Sequence, residues 1–174
     1  MKRIAKFHKV SFRQFQKGWV DTFGEEKDEQ IKKIYETIKL PKRATAGSAG
    51  YDFYAPIDLI LKPGETIKIP TGIRVEMEHN WVLKCYPRSG LGFKYRLQLN
   101  NTVGIIDSDY YYSDNEGHIF AKITNDSNEN KVVKMKAGEG FMQGIFVEYG
   151  ITVDDDVVEV RNGGFGSTTK NKLE

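Results

Sequence analysis

The hydrophobic pattern of the chain changes near position 40. Before it, apolar residues recur at intervals of three and four, which places them on one face of a helix. The first stripe runs from Phe12 to Phe23 and the second from Ile31 to Ile38. Ser11 offers an N-cap for the first helix, Gly24 can end it, and Pro41 stops the second. The pattern therefore predicts two consecutive helices.

A strand is predicted ahead of these helices. Apolar and polar residues alternate over Arg3–Val10, which is typical of a strand with one buried face. The two helices then form an insert at residues 11–39, which we call the helical insert. We expect the strand and the helical insert to pack on the rest of the chain.

From Tyr51 onward, the hydrophobic period is two. Short runs rich in β-branched and aromatic residues are separated by turn sequences such as Lys62–Glu65. No helical stripe of any length lies between these runs, so the pattern indicates an all-β sandwich, barrel or jelly roll. The predicted strands are Tyr51–Ala55, Ile57–Leu61, Thr66–Ile69, Ile73–Met77, Trp81–Tyr86, Leu97–Asn100, His118–Thr124, Lys131–Met135, Phe141–Tyr149 and Val157–Val160.

The last residues, 162–174, contain little that could hold them against a core. They are mainly Gly, Ser, Thr and Lys with one Phe, a composition too poor in apolar surface to stay in place. We expect a flexible C-terminal arm there. The preceding residues, 1–161, have a length that fits one β domain.

Composition limits the classes of function. The chain has 174 residues, of which 39% are apolar and 29% charged, and its net charge is +2. That balance does not favour a nucleic-acid or membrane surface, and no apolar run approaches the roughly 20 residues that cross a bilayer. The first residues lack the apolar region of a secretory signal. Cys85 is the only cysteine, which fits a reducing compartment, so we expect a cytoplasmic protein.

Four loops concentrate glycine, serine, arginine and aspartate. The turn at Pro87–Gly90 presents a guanidinium, a hydroxyl and backbone N–H groups together, which suits phosphate oxygens. Asp107 and Asp109 lie beside apolar residues, where a carboxylate could bind a metal or act as a base. In the glycine-rich arm, Phe165 could stack on a nucleobase. The four loops are Ala49–Asp52, Pro87–Gly90, Gly104–Tyr110 and Gly163–Thr168.

Each of these features is weak when taken alone. An isolated Arg-Ser-Gly is usually a turn, and an Asp after two Ile residues usually ends a strand. The segment Gly164–Gly166 lacks the strand-turn-helix context of a dinucleotide fingerprint. The three histidines stand apart in the sequence, so zinc has little support. The order of the loops is more informative than any one of them.

In that order, the four loops and the segment Gly138–Gln143 resemble the five motifs of the trimeric all-β dUTPases (dUTP diphosphatases). The resemblance extends from about Leu40 to Lys170. Five matches in the family's order are far more specific than a single match. The matching segments are Ala49–Ala55, Pro87–Leu91, Asn101–Tyr110, Gly138–Gln143 and Gly163–Thr168.

This resemblance implies a jelly-roll (β-clip) subunit, a homotrimer, and active sites built at subunit interfaces. It also implies hydrolysis of dUTP to dUMP and pyrophosphate with Mg²⁺, which would limit uracil in DNA and supply dUMP for dTMP synthesis. Asp107 would hold and deprotonate the water that attacks the α-phosphorus, and Asp52 would act on the metal through its water shell. The expected partners are dUTP and other subunits, with no nucleic acid and no membrane.

The substrate-binding residues implied by the resemblance fall into groups by what they would contact. Contact to the triphosphate is expected from Arg88, Ser89, Gly90 and Gln143. Contact to the uracil edge is expected from Asn101, Gly104, Ile105 and Ile106, and Tyr110 would lie under the deoxyribose. On the arm of a neighbouring subunit, Phe165 would cover the uracil while Gly166 and Ser167 close over the phosphates.

Several positions depart from the usual family pattern. Residues Tyr111–Gly117 lengthen a hairpin tip where the family usually has Arg-Gly. Gly140 stands where the fourth motif commonly has Arg, and Arg161 lies one position closer to Phe165 than the family's arm arginine. The phosphate role of Arg161 is therefore open.

Two other functions fit parts of the sequence. A dCTP deaminase shares the fold, although the Gly104–Tyr110 sequence favours the diphosphatase. A nucleotide-gated regulatory protein would bind a protein partner through the helices Phe12–Ile38 and the tip Tyr110–Tyr112. The simpler alternative is that these helices only cover a sheet edge.

Overall fold

The computed structural model describes residues 1–159, Arg161 and Gly163. This part of the chain contains α1 Phe12–Phe23, α2 Asp28–Thr37, α3 Ser89–Tyr95 and a 3-10 helix at Ser108–Tyr112. None of the described helices is long and apolar enough to cross a membrane. The strands are β1 Ala5–Lys9, β2 Lys42–Arg43, β3 Tyr51–Tyr54, β4 Leu59–Leu61, β5 Thr66–Pro70, β6 Ile73–Met77, β7 Trp81–Pro87, β8 Leu97–Leu99, β9 Gly104–Ile106, β10 Phe120–Asn125, β11 Val133–Met135 and β12 Gly140–Glu148.

A five-stranded sheet in the order β2-β3-β12-β7-β9 is the largest sheet. Its longest strand, β12, pairs with β3 on one side and β7 on the other. A second sheet has the order β5-β10-β8, and the pairs β4-β11 and β1-β6 complete the described strands. The described strand pairs are all antiparallel. The all-β architecture predicted from the two-residue period is confirmed.

Side chains from these strands meet in one apolar core. Phe53, Leu83 and Phe141 are among its largest fully buried members. Cys85 belongs to the same core, and burial raises the pKa of its thiol to about 12. It is therefore packed as a small apolar residue and has no thiolate character near neutral pH, as the sequence predicts.

The helical insert forms a second, smaller apolar cluster with Val10, the residue that follows β1. Phe15, Trp19 and Ile31 are buried there. Ile38 and Ile57 pack against both this cluster and the main core. The insert is thus continuous with the β core through these two side chains.

The ends of α1 follow the predicted capping residues. Ser11 Oγ accepts the Gln14 backbone N–H at 3.1 Å, which satisfies a donor that the helix itself leaves free. Gly24 ends the helix with φ of 85°, a left-handed value that favours glycine. The second helix, α2, ends at Thr37, four residues before Pro41.

Local structure differs from the sequence-based expectation at several segments, of which three are informative. Ser89–Tyr95 is a helix, too short and too glycine-rich to show an apolar stripe. Gly104–Ile106 is strand β9 rather than a loop, because β7 supplies a partner. Residues 157–159 form no strand in the described structure, and Val157 and Val158 are exposed. An alternating pattern produces a strand only where a neighbouring strand pairs with it.

Candidate active site

Strands β3, β7 and β12 bring together residues of the first, second and fourth motifs. Asp52 on β3 is the register partner of Gln143 on β12, which in turn faces Tyr86 on β7. Arg88 follows the end of β7, and its Nε lies 3.2 Å from Asp52 Oδ1. Gln143 Nε2 donates to the carbonyl of Pro87 at 3.3 Å. A carboxylate, a guanidinium and an amide therefore converge at one place, which we call the Arg88 cluster (Asp52, Arg88, Ser89, Gly90 and Gln143).

Two glycines allow these side chains to lie close to the backbone. A methyl group added at Gly50 would lie 2.6 Å from Gln143 Oε1. One added at Gly140 would lie 2.9 Å from Arg88 Nη1 and 3.1 Å from its Cδ. Because the Arg88 side chain lies over Gly140, a longer residue there would displace it. This contact gives a physical reason for glycine at a position where the family commonly has arginine.

Ser89 and Gly90 are exposed beside Arg88, at the beginning of α3. With Arg88 they line an open cavity of about 540 Å³. Cations outnumber anions along this wall, which suits an anionic ligand. The other charged residues that line the cavity are Lys94, Lys134 and Glu139.

The third motif forms a separate cavity beside the turn that connects β8 and β9. The turn is tight, and Thr102 adopts φ of 67° within it. Strand β8 pairs with β10, whereas β9 pairs with β7, so the turn connects two different sheets. A cavity of about 260 Å³ lies against this turn. The predicted site residues that line it are Asn101, Gly104, Ile105, Ile106, Asp107 and Tyr110.

Tyr110 is held in the wall of this cavity by its hydroxyl. The Tyr110 hydroxyl donates to the backbone carbonyl of His118 at 2.9 Å and accepts from Asn115 Nδ2 at 2.8 Å. Burial raises the pKa of the Tyr110 phenol, while the Asn115 hydrogen bond and the positive charge of Arg161 act in the opposite direction. The ring is therefore neutral near pH 7, with its orientation set by two hydrogen bonds.

Asp107 lies at the mouth of the same cavity, between β9 and the 3-10 helix. Its side chain is 41% exposed. Arg161 Nη2 donates to Asp107 Oδ2, and Arg161 Nε donates to Asp109 Oδ1 at 3.0 Å. Arg161 also lines the cavity. One guanidinium thus lies between two carboxylates at the cavity mouth.

Asp107 and Arg88 lie far apart within one chain. Strands β7 and β9 pair so that Leu83 faces Ile106. Asp107 follows Ile106, and because the strands are antiparallel it is level with Val82. Arg88 lies six residues beyond that level along β7, and six residues at about 3.3 Å each place Arg88 and Asp107 roughly 20 Å apart.

The fifth motif falls outside the described residues except for Gly163. The contacts expected from Phe165, Gly166 and Ser167, and the flexible arm expected at residues 162–174, therefore stay predictions.

Comparison with known proteins supports the family that the order of the motifs indicates. The family model of the dUTPases matches residues 36–169. The deoxyuridine 5'-triphosphate nucleotidohydrolase of Lactococcus lactis is 43% identical over 134 residues, covering 75% of this chain and 88% of the relative. The chain belongs to the dUTPase family.

Solved dUTPase structures have the same fold. The dUTPase of Streptococcus mutans superposes with a TM-score of 0.57 at 38% identity, over 65% of this chain and 88% of that one. The dUTPase of Staphylococcus bacteriophage 80alpha, with dUPNHPP, gives a TM-score of 0.62 at 20% identity, over 95% of this chain and 98% of that one. The predicted jelly-roll class is confirmed.

The donor atoms of this dUTPase suit a metal held mainly by water and phosphate. Among residues 1–159, Arg161 and Gly163, no three His, Cys, Asp or Glu side chains are grouped to hold a metal ion. Mg²⁺ commonly keeps several waters and binds through one or two carboxylates together with substrate phosphates. Asp52 fits that mode, because its carboxylate lies against Arg88, in the cluster that suits a phosphate group.

Asn115 and His118 hold Tyr110 in place in this dUTPase, and the sequence analysis predicted neither role. Asn115 accepts the Gly117 N–H on its Oδ1 at 3.1 Å, a turn contact that the Asn-Glu-Gly sequence could have indicated. His118 has no such signal, since its role depends on a carbonyl that faces Tyr110 only after folding. The pairing of Arg161 with Asp107 was likewise not predicted.

Proposed function

We propose that this chain hydrolyses dUTP to dUMP and pyrophosphate in active sites that are completed by more than one subunit of a homotrimer. The separation of Asp107 from Arg88 carries the shared-site part of the proposal. A general base acts over about 2.6–3.2 Å, directly or through one water, so the reacting phosphorus must lie close to it. Arg88, roughly 20 Å from Asp107 along the direction of β7, is too far from that phosphorus to contact it. A second copy would therefore supply the Arg88 cluster.

The third-motif cavity would bind the nucleoside. Strand β9 is at the edge of its sheet, so backbone groups of Gly104, Ile105 and Ile106 that do not face β7 can bind the uracil edge. The Asn101 amide in the turn between β8 and β9 adds a donor and an acceptor. Cytosine presents the reverse pattern at this edge, and each buried polar group left unpaired would cost about 1–3 kcal/mol.

The Tyr110 ring would lie under the deoxyribose and leave no room for a 2′-hydroxyl. It is buried in the cavity wall, and hydrogen bonds at both its donor and acceptor positions prevent it from moving aside. An orientation fixed before substrate binds is what steric rejection of a ribonucleotide requires.

Asp107 would hold the attacking water and take its proton. Its side chain is partly exposed at the cavity mouth, where the α-phosphate of a bound nucleotide would lie. Arg161 binds one carboxylate oxygen, Oδ2. The other, Oδ1, accepts no hydrogen bond from the described residues and could accept one from water.

Charge in the Arg88 cluster of a second subunit would bind the triphosphate. Arg88 can contact phosphate oxygens through two N–H groups, with Ser89, Gly90 and Gln143 adding further donors. Asp52 would contact Mg²⁺ through its water shell, and the ion would neutralise charge on the phosphates when bound. In the cytoplasm this reaction would limit uracil in DNA and supply dUMP for dTMP synthesis, with no nucleic acid or membrane as a partner.

Pyrophosphate release from each of the four deoxynucleoside triphosphates and dUTP tests this function. We expect turnover of dUTP in the presence of Mg²⁺ and far slower turnover of dCTP and dTTP. Equal rates with dCTP or dTTP would contradict the proposed base recognition. Ammonia release from dCTP would instead identify the chain as a deaminase of the same fold.

A further inference from the structure

The helical insert and the extended tip Tyr111–Gly117 are in direct contact. The Ser11 backbone N–H donates to Glu116 Oε2 at 2.7 Å, and Ser11 Oγ donates to Glu116 Oε1 at 2.6 Å. The same Ser11 hydroxyl caps α1 by accepting the Gln14 N–H. One carboxylate of the tip is therefore bound bidentately at the first residue of the insert. We call this pair the Ser11–Glu116 clasp.

The tip is a constrained loop rather than a loose one. Glu116 adopts φ of 57° and Gly117 φ of 67°, both in the left-handed region. A methyl group added at Gly117 would lie 2.7 Å from the carbonyl oxygen of Tyr110. Left-handed conformation at a residue other than glycine persists only where surrounding contacts hold it. The clasp is one such contact for Glu116.

Arg74 on β6 provides a second attachment. Its Nη2 donates to the carbonyl of Tyr111 at 2.6 Å, and its guanidinium carbon lies 3.6 Å from the centre of the Tyr111 ring. Its Nη1 lies 3.9 Å from Glu116 Oε2. The Glu116 carboxylate thus interacts both with Ser11 of the insert and with Arg74 of β6.

Directly before the clasp, Asn115 connects the tip to Tyr110. Its Nδ2 donates to the Tyr110 hydroxyl at 2.8 Å, and its Oδ1 accepts the Gly117 N–H at 3.1 Å. Displacement of Glu116 would therefore move Asn115 and remove one of the two hydrogen bonds that orient the Tyr110 ring.

His118 connects the other side of Tyr110 to the insert. Its carbonyl accepts the Tyr110 hydroxyl, and its ring accepts the Gly72 N–H at 2.9 Å. The same ring packs against Phe15 of α1, with ring centres 6.2 Å apart. A methyl group added at Gly18 of α1 would lie 3.0 Å from the His118 ring. Helix α1 therefore lies directly against the residue that fixes Tyr110.

We infer that Glu116 and Ser11 are positioning residues for sugar recognition, through which the helical insert holds Tyr110 in its orientation. The inference rests on the proposed function, in which Tyr110 excludes a 2′-hydroxyl. Neither Ser11 nor Glu116 lines the third-motif cavity, so their effect would be indirect, through the position of Tyr110, and would appear in the discrimination between dUTP and UTP. The clasp also gives one shared role to the helical insert and the extended tip.

A negative charge introduced into the clasp provides the test. Ser11→Asp keeps an N-cap residue for α1 but places a second carboxylate against Glu116. We expect the ratio of kcat/KM for dUTP to kcat/KM for UTP to fall about tenfold, a free-energy change of about 1.4 kcal/mol. Adding Glu116→Gln should restore the ratio, since an amide can donate to the new carboxylate. Glu116→Gln alone should lower the dUTP-to-UTP ratio of kcat/KM by less than Ser11→Asp does.

Glu78→Gln is the matched control. Glu78 also pairs with the N-terminal segment, with its Oε2 2.5 Å from Lys2 Nζ, but among the described residues its side chain makes no hydrogen bond or ion pair with the tip. This variant should keep the wild-type ratio. A ratio unchanged in both Ser11→Asp and Glu116→Gln, or equal losses for dUTP and UTP, would overturn the inference. Absence of dUTP turnover in the wild-type chain would instead contradict the proposed function.

Discussion

The guanidinium of Arg161 is bound to the carboxylate of Asp107 and at the same time reaches Asp109. The cation compensates two negative charges at the mouth of the cavity that would take the nucleoside. A triphosphate approaching this mouth would otherwise meet like charge, which is unfavourable over distances up to the Debye length.

Arg161→Gln should therefore weaken dUTP binding. We expect KM to rise about tenfold at low ionic strength and by less at high salt, because salt screens the exposed carboxylates. Steady-state kinetics at two salt concentrations would measure this. Arg96→Gln removes a comparable pair with Asp126 elsewhere on the surface and should leave KM unchanged. A salt-independent KM in Arg161→Gln would contradict the electrostatic role.

Asp107→Asn should abolish turnover while leaving nucleotide binding intact. An amide cannot accept the proton of the attacking water, and a positioned general base contributes about 10²–10⁴-fold. Single-turnover pyrophosphate release and calorimetric binding of a non-hydrolysable dUTP analogue would separate the two effects. Asp109→Asn removes the other partner of Arg161 and should retain most of kcat. Near wild-type turnover in Asp107→Asn would exclude Asp107 as the base.

Gly140→Ala should impair phosphate binding without unfolding the protein. The added methyl group would lie 2.9 Å from Arg88 Nη1, so the guanidinium must move from its position beside Asp52. We expect a higher KM for dUTP and an unfolding temperature close to that of Gly150→Ala, a site with open space around it. If both variants had the wild-type KM, the observed Arg88 position would not matter for binding.

Acid should destabilise the fold through His118. Burial lowers the pKa of His118 to about 3, with the charge of Lys68 acting in the same direction. Between that pH and about 6.5, the unfolded chain binds a proton that the folded chain does not, so the free energy of unfolding falls as pH falls. This group contributes a slope of up to about 1.4 kcal/mol per pH unit.

Denaturant titrations from pH 7 to pH 4 would measure that slope. His118→Gln should flatten it, since glutamine does not titrate and can still accept the Gly72 N–H. His79→Gln, at an exposed position, should keep the wild-type slope. A His118→Gln variant with an unchanged slope would show that another group causes the acid sensitivity.

Much of the fold follows from local patterns in the sequence. The apolar stripe from Phe12 to Phe23, together with its capping residues, predicted helix α1 and its boundaries. The two-residue period predicted most of the strands. The exceptions have physical causes: Ser89–Tyr95 is too short for a helical period, and Val157 has an alternating pattern without a strand to pair with in the described structure.

The candidate site was predicted less completely, because long-range contacts leave no local signal. The resemblance to the family predicted that Asp107, Asn101 and Tyr110 act on one bound nucleotide. In the structure, all three line the same cavity. In contrast, Ser11 and Glu116 are 105 positions apart in the sequence, and neither lies in a motif. Their contact is visible only in the folded structure, in which the tip lies beside the insert.

Subunit complementation tests the central claim that Asp107 and Arg88 act in one site from different chains. Asp107→Asn and Arg88→Gln should each be nearly inactive alone with dUTP. Mixed trimers, made by refolding or co-expressing the two chains in equal amounts, would contain some sites with both native residues. If subunits mix at random, about a quarter of wild-type activity should return. Activity that stays at the average of the two parents in verified mixed trimers would contradict the shared site.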